Sequence, residues 1–330
     1  MPIPKIIHYC WLSGDPYPTE IQKCIDSWHK YMPDYEFRLW DMNTFDCNSV
    51  LYVSQAVKLR KWAFASDYIR LWALYNEGGI YLDSDIEVFR SFDPLLNEPS
   101  FTGLECGGRV AAWIFGSEPG NTVIGDLLSY YNNRDFIDPD GKPDMTPNTI
   151  PVTKDLAGKG LLANNSTQRL DGMTVFSSDY FCPFNPWLGI TKKTENSYAK
   201  HLFCGAWIEQ DDEVQFMRKT NEYINEFVNK HVLINEDKNL YIYGAGILGH
   251  LVFEILQSRY PKVKVLGFIV SGNDYGWNEI EGVPLNIVSD FENGDKNVPI
   301  LIATIPKHHE AIIKEVNKYG FNNVYRLGLS

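Results

Sequence analysis

One stretch of this chain constrains all the rest. From residue 54 to 77, apolar residues recur at helical spacing, among them Val57, Trp62, Ala65, Ile69, Leu71, Trp72 and Tyr75. Gly78 and Gly79 follow, the left-handed stop expected after a helix. Then IYLDSDIEVF (80–89) alternates with a period of two. On a strand, Ile80, Leu82, Ile86 and Val88 face one side, and Tyr81, Asp83, Asp85 and Glu87 the other. A helix that turns through glycine into a half-buried strand belongs in an α/β sheet. The N-terminal segments agree. KIIHYCW and YEFRLW (35–40) read as strands, and 18–31 as a helix with Ile21, Cys24, Ile25 and Trp28 on one face.

Beyond residue 90 the pattern weakens. Residues 90–200 are dense in Pro, Gly and Asn, with short apolar pieces such as AAWIFGS (111–117) and MTVFSSDYF (173–181). They read as loops and short elements laid around the sheet, with a helix over 121–132. A charged helix is expected over 213–230, then a polar connection, NEDKN (235–239). A regular pattern restarts there: strand 239–243, a glycine turn, helix 247–258, strand 262–270, strand 298–304, helix 307–319 and strand 323–327. The 330 residues therefore divide into two α/β units, 1–234 and 239–330, as expected at about 150 residues per domain. The second is expected to be a small Rossmann-like unit.

Composition removes several functions. Thirty basic against 42 acidic residues give a net charge of −12, so no nucleic-acid partner is expected. Cys10, Cys24, Cys47, Cys106, Cys182 and Cys204 are scattered, with no CxxC pair or zinc spacing. They read as reduced thiols of a cytoplasmic protein. The N-terminus does not read as a signal peptide, and no run of about 18 apolar residues suggests a transmembrane segment. Peripheral contact with the inner face of a membrane stays open.

Asp83-Ser84-Asp85 is the main candidate for chemistry. On a strand the two carboxylates share a face about 6.6 Å apart. Carboxylate oxygens suit Mg²⁺ or Mn²⁺, which take one or two carboxylates plus phosphate oxygens. A second such triplet, Asp138-Pro139-Asp140, lies among Pro and Gly and reads as a turn. One helix earlier, Asp67 and Arg70 stand at i and i+3 within an apolar stretch. Charges there must pair or face a cleft, and an Arg could grip a phosphate or a sugar hydroxyl.

KIIHYCW followed by ASDYIRLWALYNEGGIYLDSDIEVF (65–89) resembles the family 32 glycosyltransferases with the DXD sugar-binding motif. These include bacterial capsular polysaccharide enzymes and yeast initiating mannosyltransferases. The resemblance covers about residues 2–210. It implies a GT-A fold and retaining transfer from a nucleotide-sugar donor with Mn²⁺ or Mg²⁺; a UDP-linked donor is expected over a GDP-linked one. The acceptor would be a saccharide or lipid-linked saccharide in capsular or surface polysaccharide synthesis. It implies that Asp85 ligates the metal and that Asp83 contacts donor ribose or sugar and assists the metal. Asp67 and Arg70 would hold the donor sugar. Trp11 would lie against the base or pack in the core. His201 and Trp207, in HLFCGAW, resemble the family's late His…Gly-Ser-Trp element, which closes on the diphosphate and could add His201 to the metal site. Ala206 replaces the usual Ser. His8, inside the first strand, reads as structural.

Gly244, Gly246 and Gly249 form GxGxxG between a strand and a helix, the context for a phosphate on a helix N-terminus. The acid usual at the end of the second strand is missing, since Val270-Ser271-Gly272 stands there. The loop could hold a nucleotide or nucleotide sugar, or serve only helix–strand packing. Competing readings follow. A nucleotide-sugar oxidoreductase or epimerase would need NAD and a Tyr-x-x-x-Lys pair within reach of it. A toxin-like protein glycosyltransferase would need a delivery segment. An inactive sugar-binding protein sits poorly with an intact Asp67, Arg70, Asp83, Asp85 set.

Overall fold

The computed structural model describes residues 2–105, 107–185, 190–191, 193–204, 220, 222–234, 238–273, 276–290 and 295–327. The chain folds into mixed α/β layers around two large sheets. The elements that build the first are β1 (Ile6–Cys10), α1 (Thr19–Tyr31), β2 (Glu36–Trp40), α2 (Leu51–Lys58), α3 (Trp62–Glu77) and β3 (Gly79–Leu82). There follow β4 (Ile86–Val88), β5 (Ser100–Gly103), β6 (Ile114–Ser117), α4 (Thr122–Ser129), α5 (Thr149–Gly158), β7 (Gln168–Leu170) and β8 (Met173–Phe176). Short β9 (Phe184–Asn185) pairs with β10 (Ile190–Thr191), and β11 (Ala199–His201) pairs antiparallel with β4. The seven-stranded sheet runs β2-β1-β3-β6-β5-β8-β7, with β1 parallel to both β2 and β3.

Each face of this sheet buries one apolar cluster. Ile21, Ile25 and Trp28 of α1 pack on one face with Ile80, Leu82, Ile86 and Val88. Tyr81 lies in the other cluster with Phe64, Ile69 and Leu74 of α3. The period-two assignment of faces therefore holds across 80–88. The expectation of one continuous strand does not: β3 stops at Leu82, and Ile86 N–H returns to Asp83 O at 3.2 Å. Asp83, Ser84 and Asp85 form a turn between strands of two different sheets, so an extended-strand spacing does not apply to the two carboxylates.

The helix expected over 54–77 is also two helices. Arg60, at φ 56°, breaks the chain between α2 and α3 without any Gly or Pro to announce it. Gly78 and Gly79 behave as expected, at φ 67° and 103°. A Cβ on Gly78 would lie 2.7 Å from Pro119 Cδ, and one on Gly79 2.8 Å from Ile6 O, so only glycine fits between β1 and β6.

Of the helix expected over 213–230, residues 213–219 and 221 lie outside the described residues, as do 235–237 of the polar connection. The C-terminal elements are β12 (Asn239–Tyr243), α6 (Ile247–Arg259), β13 (Lys264–Val270), β14 (Glu279–Ile280), β15 (Val283–Ile287), β16 (Ile300–Ile302), α7 (His309–Lys318) and β17 (Val324–Arg326). Their sheet runs β14-β15-β13-β12-β16-β17, parallel except for β14. Leu251, Ile255 and Leu256 of α6 cover one face, and Ile312 and Val316 of α7 the other. Trp277 Nε1 donates to Leu161 O at 2.7 Å and Glu281 N–H to Ala163 O at 2.7 Å, so this sheet leans on the segment after α5.

Among the described residues, no helix is long and apolar enough to cross a membrane. The described cysteines, Cys10, Cys24, Cys47, Cys182 and Cys204, are free thiols.

Candidate active site

The site forms at the carboxyl end of β3. Asp67 and Arg70 share the buried side of α3, where their i,i+3 spacing gives a 3.2 Å ion pair. Arg70 Nη2 also reaches Asp83 Oδ1 at 2.9 Å, and Nη1 donates to Ala112 O. Tyr81 OH donates to the same Asp83 oxygen at 2.9 Å, and the Arg70 guanidinium lies 4.8 Å from the Tyr81 ring centroid. One buried cation therefore binds two carboxylates, which answers the question that charges in an apolar helix raise. Burial works against the Arg70 charge, but Asp83, Tyr81 and Asp67 outweigh it and raise its pKa. Burial drives the Asp67 carboxyl up to about 7, against the pull of Arg70, and pushes Asp83 upward too.

Asp85 sits in a second cluster. The β4–β11 pairing sets His201 opposite Ile86, beside the turn. His201 Nε2 lies 3.1 Å from Asp85 Oδ1, and Cys204 N–H donates to Asp85 Oδ2 at 3.0 Å. Burial pushes Asp85 up, but His201 and these hydrogen bonds prevail and hold it below the usual carboxylate range. Burial likewise opposes charge on His201, and Asp85 overcomes it, raising the imidazole pKa. The ring lies between Trp113 and Phe203, with centroids at 4.7 and 4.1 Å.

Two polar atoms here are buried without partners, Arg70 Nε and His201 Nδ1. Buried N–H groups are rarely left unpaired, so both are open to a ligand. The donor set also suits a hard cation. Asp83 and Asp85 present oxygens with spare lone pairs, although among the described residues no three His, Cys, Asp or Glu side chains converge as ligands. His201 turns Nε2 toward Asp85, which leaves Nδ1 as its unpartnered polar atom.

The other expected residues are distributed as follows. Trp11 is half-buried at the end of β1, its Nε1 bonded to Asp15 O at 2.7 Å and its ring edge-on to Tyr17. Trp207 and Ala206 lie outside the described residues. His8 is structural: Nε2 meets Gly78 O at 2.8 Å and Nδ1 accepts from Trp40 Nε1 at 3.1 Å. Gly244 and Gly246 lie in the turn between β12 and α6, and Gly249 in the first turn of α6, at the other sheet. A Cβ on Gly249 would run into Gly244 O, and one on Gly244 would lie 2.8 Å from Ala303 O. Those two glycines answer to close packing, whereas a Cβ on Gly246 meets nothing.

Sequence reasoning missed Tyr81 as a partner of Asp83, and it missed Trp113, Glu105 and Asn148. Trp113 Nε1 donates to Glu105 Oε2 at 3.2 Å behind His201. Asn148 occupies the N-cap position of α5 yet makes no cap bond there; its amide reaches Asp67 Oδ1 at 2.6 Å. Asn121 does cap α4, accepting from Val123 and Ile124 N–H. The signal for Asn148 was an Asn before Thr-Ile-Pro, readable as a helix start.

Residues 18–102 match the family described as glycosyltransferase sugar-binding region containing DXD motif. The chain is 34% identical over 133 residues to inositol phosphoceramide mannosyltransferase 3 of Schizosaccharomyces pombe, covering 37% of this chain and 35% of that protein. It is 32% identical over 142 residues to mannosyl phosphorylinositol ceramide synthase CSH1 of Saccharomyces cerevisiae, covering 40% and 37%. The chain thus spans a little over a third of the length of these relatives. Among solved structures it is similar to PaToxG glycosyltransferase, with 20% identity, a TM-score of 0.36, and 48% of this chain and 70% of that one covered. The family match and the mannosyltransferase relatives support a glycosyltransferase, and the matched stretch contains Asp67, Arg70, Asp83 and Asp85.

Proposed function

We propose that this chain is a GT-A-type glycosyltransferase that moves a hexosyl group, with retention, from a UDP-sugar to a saccharide or lipid-linked saccharide of a surface polysaccharide. The observation that carries the reading is the pair of carboxylates in one turn, Asp83 clamped by Arg70 and Tyr81 and Asp85 by His201, inside the family match. Asp85 and Asp83 would hold Mn²⁺ or Mg²⁺ through their carboxylate oxygens. The ion would supply charge neutralisation for the departing diphosphate. Arg70 acts chiefly as a positioning residue, because both Nη groups are spent on protein partners and only Nε stays open. The His201 imidazole, its pKa raised, would offer Nδ1–H to developing diphosphate charge. Trp11 and His201 would flank the nucleotide. The catalytic unit is taken as 1–234, with a Rossmann-like unit over 239–330, in a cytoplasmic protein that works near the inner face of the membrane. The relatives do not favour the oxidoreductase or epimerase reading.

The test is a thermal-shift panel of UDP, GDP, their common sugars and NAD, each with and without Mn²⁺. A ligand that binds only the folded chain raises Tm by mass action. A metal-dependent rise with UDP-sugars that disappears in Asp85→Asn is expected. A rise with NAD alone, unchanged in Asp85→Asn, refutes the transferase.

A further inference from the structure

The second sheet carries a cavity of its own, about 340 Å³, at the carboxyl ends of its central strands. Tyr243 ends β12 and Gly244 follows it, Ser271 follows β13, Thr304 follows β16, and the first turns of α7 lie over them. Ligands of open parallel sheets bind at this edge, where successive connections leave on opposite faces. Here α6 covers one face and α7 the other.

The polar groups of this cavity form a set. Glu315 Oε2, from α7, accepts from Tyr243 OH and from Ser271 Oγ, each at 2.7 Å. Thr304 Oγ1 is buried and has no partner. A hydroxyl withdrawn from water without a hydrogen bond is costly, and an incoming hydroxyl would satisfy it. Sequence reading found no acid at the end of the second strand. The fold brings one there from α7: Glu315 lies against Ser271, where a carboxylate in such sheets receives a ribose diol. The cavity does not extend to the phosphate end of the glycine turn. Its lining omits Gly246 and Ile247, and the Gly107 loop packs on the start of α6, with a Cβ built on Gly107 3.5 Å from Ile247 Cα. A volume near the lower end of the ~300–1,000 Å³ of ligand pockets suits one ring.

We propose that this cavity binds a single sugar or nucleoside ring, with Glu315 accepting from a vicinal diol and Thr304 pairing a further ligand hydroxyl. It uses no residue of the Asp83–Asp85 site and does not rest on the transferase reading.

The experiment uses the full chain carrying Asp85→Asn, so that binding at the first site is weakened. Calorimetric titration with uridine, 2′-deoxyuridine, a methyl hexoside and NAD gives the affinities. Uridine binding with 2′-deoxyuridine weakened identifies a nucleoside; hexoside binding alone identifies a free sugar. In either case Glu315→Gln is expected to raise Kd about tenfold or more. Ala311→Trp, at an exposed α7 position lining the cavity, is expected to abolish binding with Tm unchanged, and covers the case in which Glu315→Gln fails to fold. The proposal is overturned if no probe binds, if both substitutions leave affinity unchanged, or if NAD binds more tightly than uridine and the hexoside.

Discussion

His8 is expected to give this protein a measurable acid sensitivity. The ring is fully buried in β1, and both nitrogens are used: Nε2–H donates to Gly78 O, and Nδ1 accepts from Trp40 Nε1. Only the neutral imidazole satisfies both bonds, because a protonated Nδ1 cannot accept. Burial lowers its pKa from 6.5 to about 4. The sign follows from linkage. An unfolded His takes up its proton near pH 6.5 while the folded one resists until about pH 4, so stability falls as pH drops through that window. Between roughly pH 7.5 and pH 5 one such group costs about 2 kcal/mol. His250, lowered to about 4 by burial and by Arg109, adds a similar amount. Asp67 works the other way: its carboxyl, raised to about 7, penalises the folded state at neutral pH and relaxes on acidification. The quantity to read is therefore a difference between proteins. His8→Gln keeps a donor for Gly78 O and removes the titration. Urea unfolding followed by Trp fluorescence at both pH values should show the variant losing about 2 kcal/mol less than the parent across the interval. Equal losses in both proteins would refute the argument.

Four further outcomes are expected. Asn148→Ala removes the 2.6 Å bond to Asp67, leaves that buried carboxylate short of a donor, and should cost about 1–3 kcal/mol of stability in urea unfolding. Tyr81→Phe removes one of the two donors on Asp83 and should cost about 1–2 kcal/mol of donor binding by calorimetry. Gly249→Ala should destabilise the second sheet by about 1–3 kcal/mol or more in urea, whereas Gly246→Ala, with open space at its Cβ, should be near neutral. Gly78→Ala should be strongly destabilising, since it combines positive φ with a clash on Pro119.

Where the sequence carried period and punctuation, it was legible. The β12 strand was expected over 239–243 and ends there, and α6 and β13 fall within a few residues of their expected bounds, because each alternates or repeats cleanly between turn residues. The α1 face of Ile21, Cys24, Ile25 and Trp28 is buried as its spacing requires. The long loop reading of 90–200 concealed α5, whose Pro151 and Asn148 look like breakers in isolation but stand in the first turn and cap of a helix. The Arg60 break was invisible because an arginine, not a glycine, takes the left-handed position that ends α2, where Arg60 N–H returns to Val57 O and Lys61 N–H to Ala56 O, each at 2.9 Å.

The candidate site divides along the same line. Asp67, Arg70, Asp83 and Asp85 were legible because charges stood where an apolar pattern required neutral residues, and the i,i+3 pair forms as that spacing demands. What the pattern could not reveal is the turn between β3 and β4. Its two flanks, Leu82 and Ile86, are packed in one core cluster, so the alternation of apolar residues continues across the turn as though a single strand ran through it. The hydrophobic period reports which side chains share a core, not whether the backbone between them stays extended. The two strands belong to different sheets, and only the pairing of β4 with β11, some 110 residues later in the chain, separates Asp85 from Asp83 and hands it to His201. A long-range pairing of this kind leaves no local signature. That is why a short-range motif located the carboxylates, while the division of labour between them, one held by Arg70 and the other by His201, required the fold.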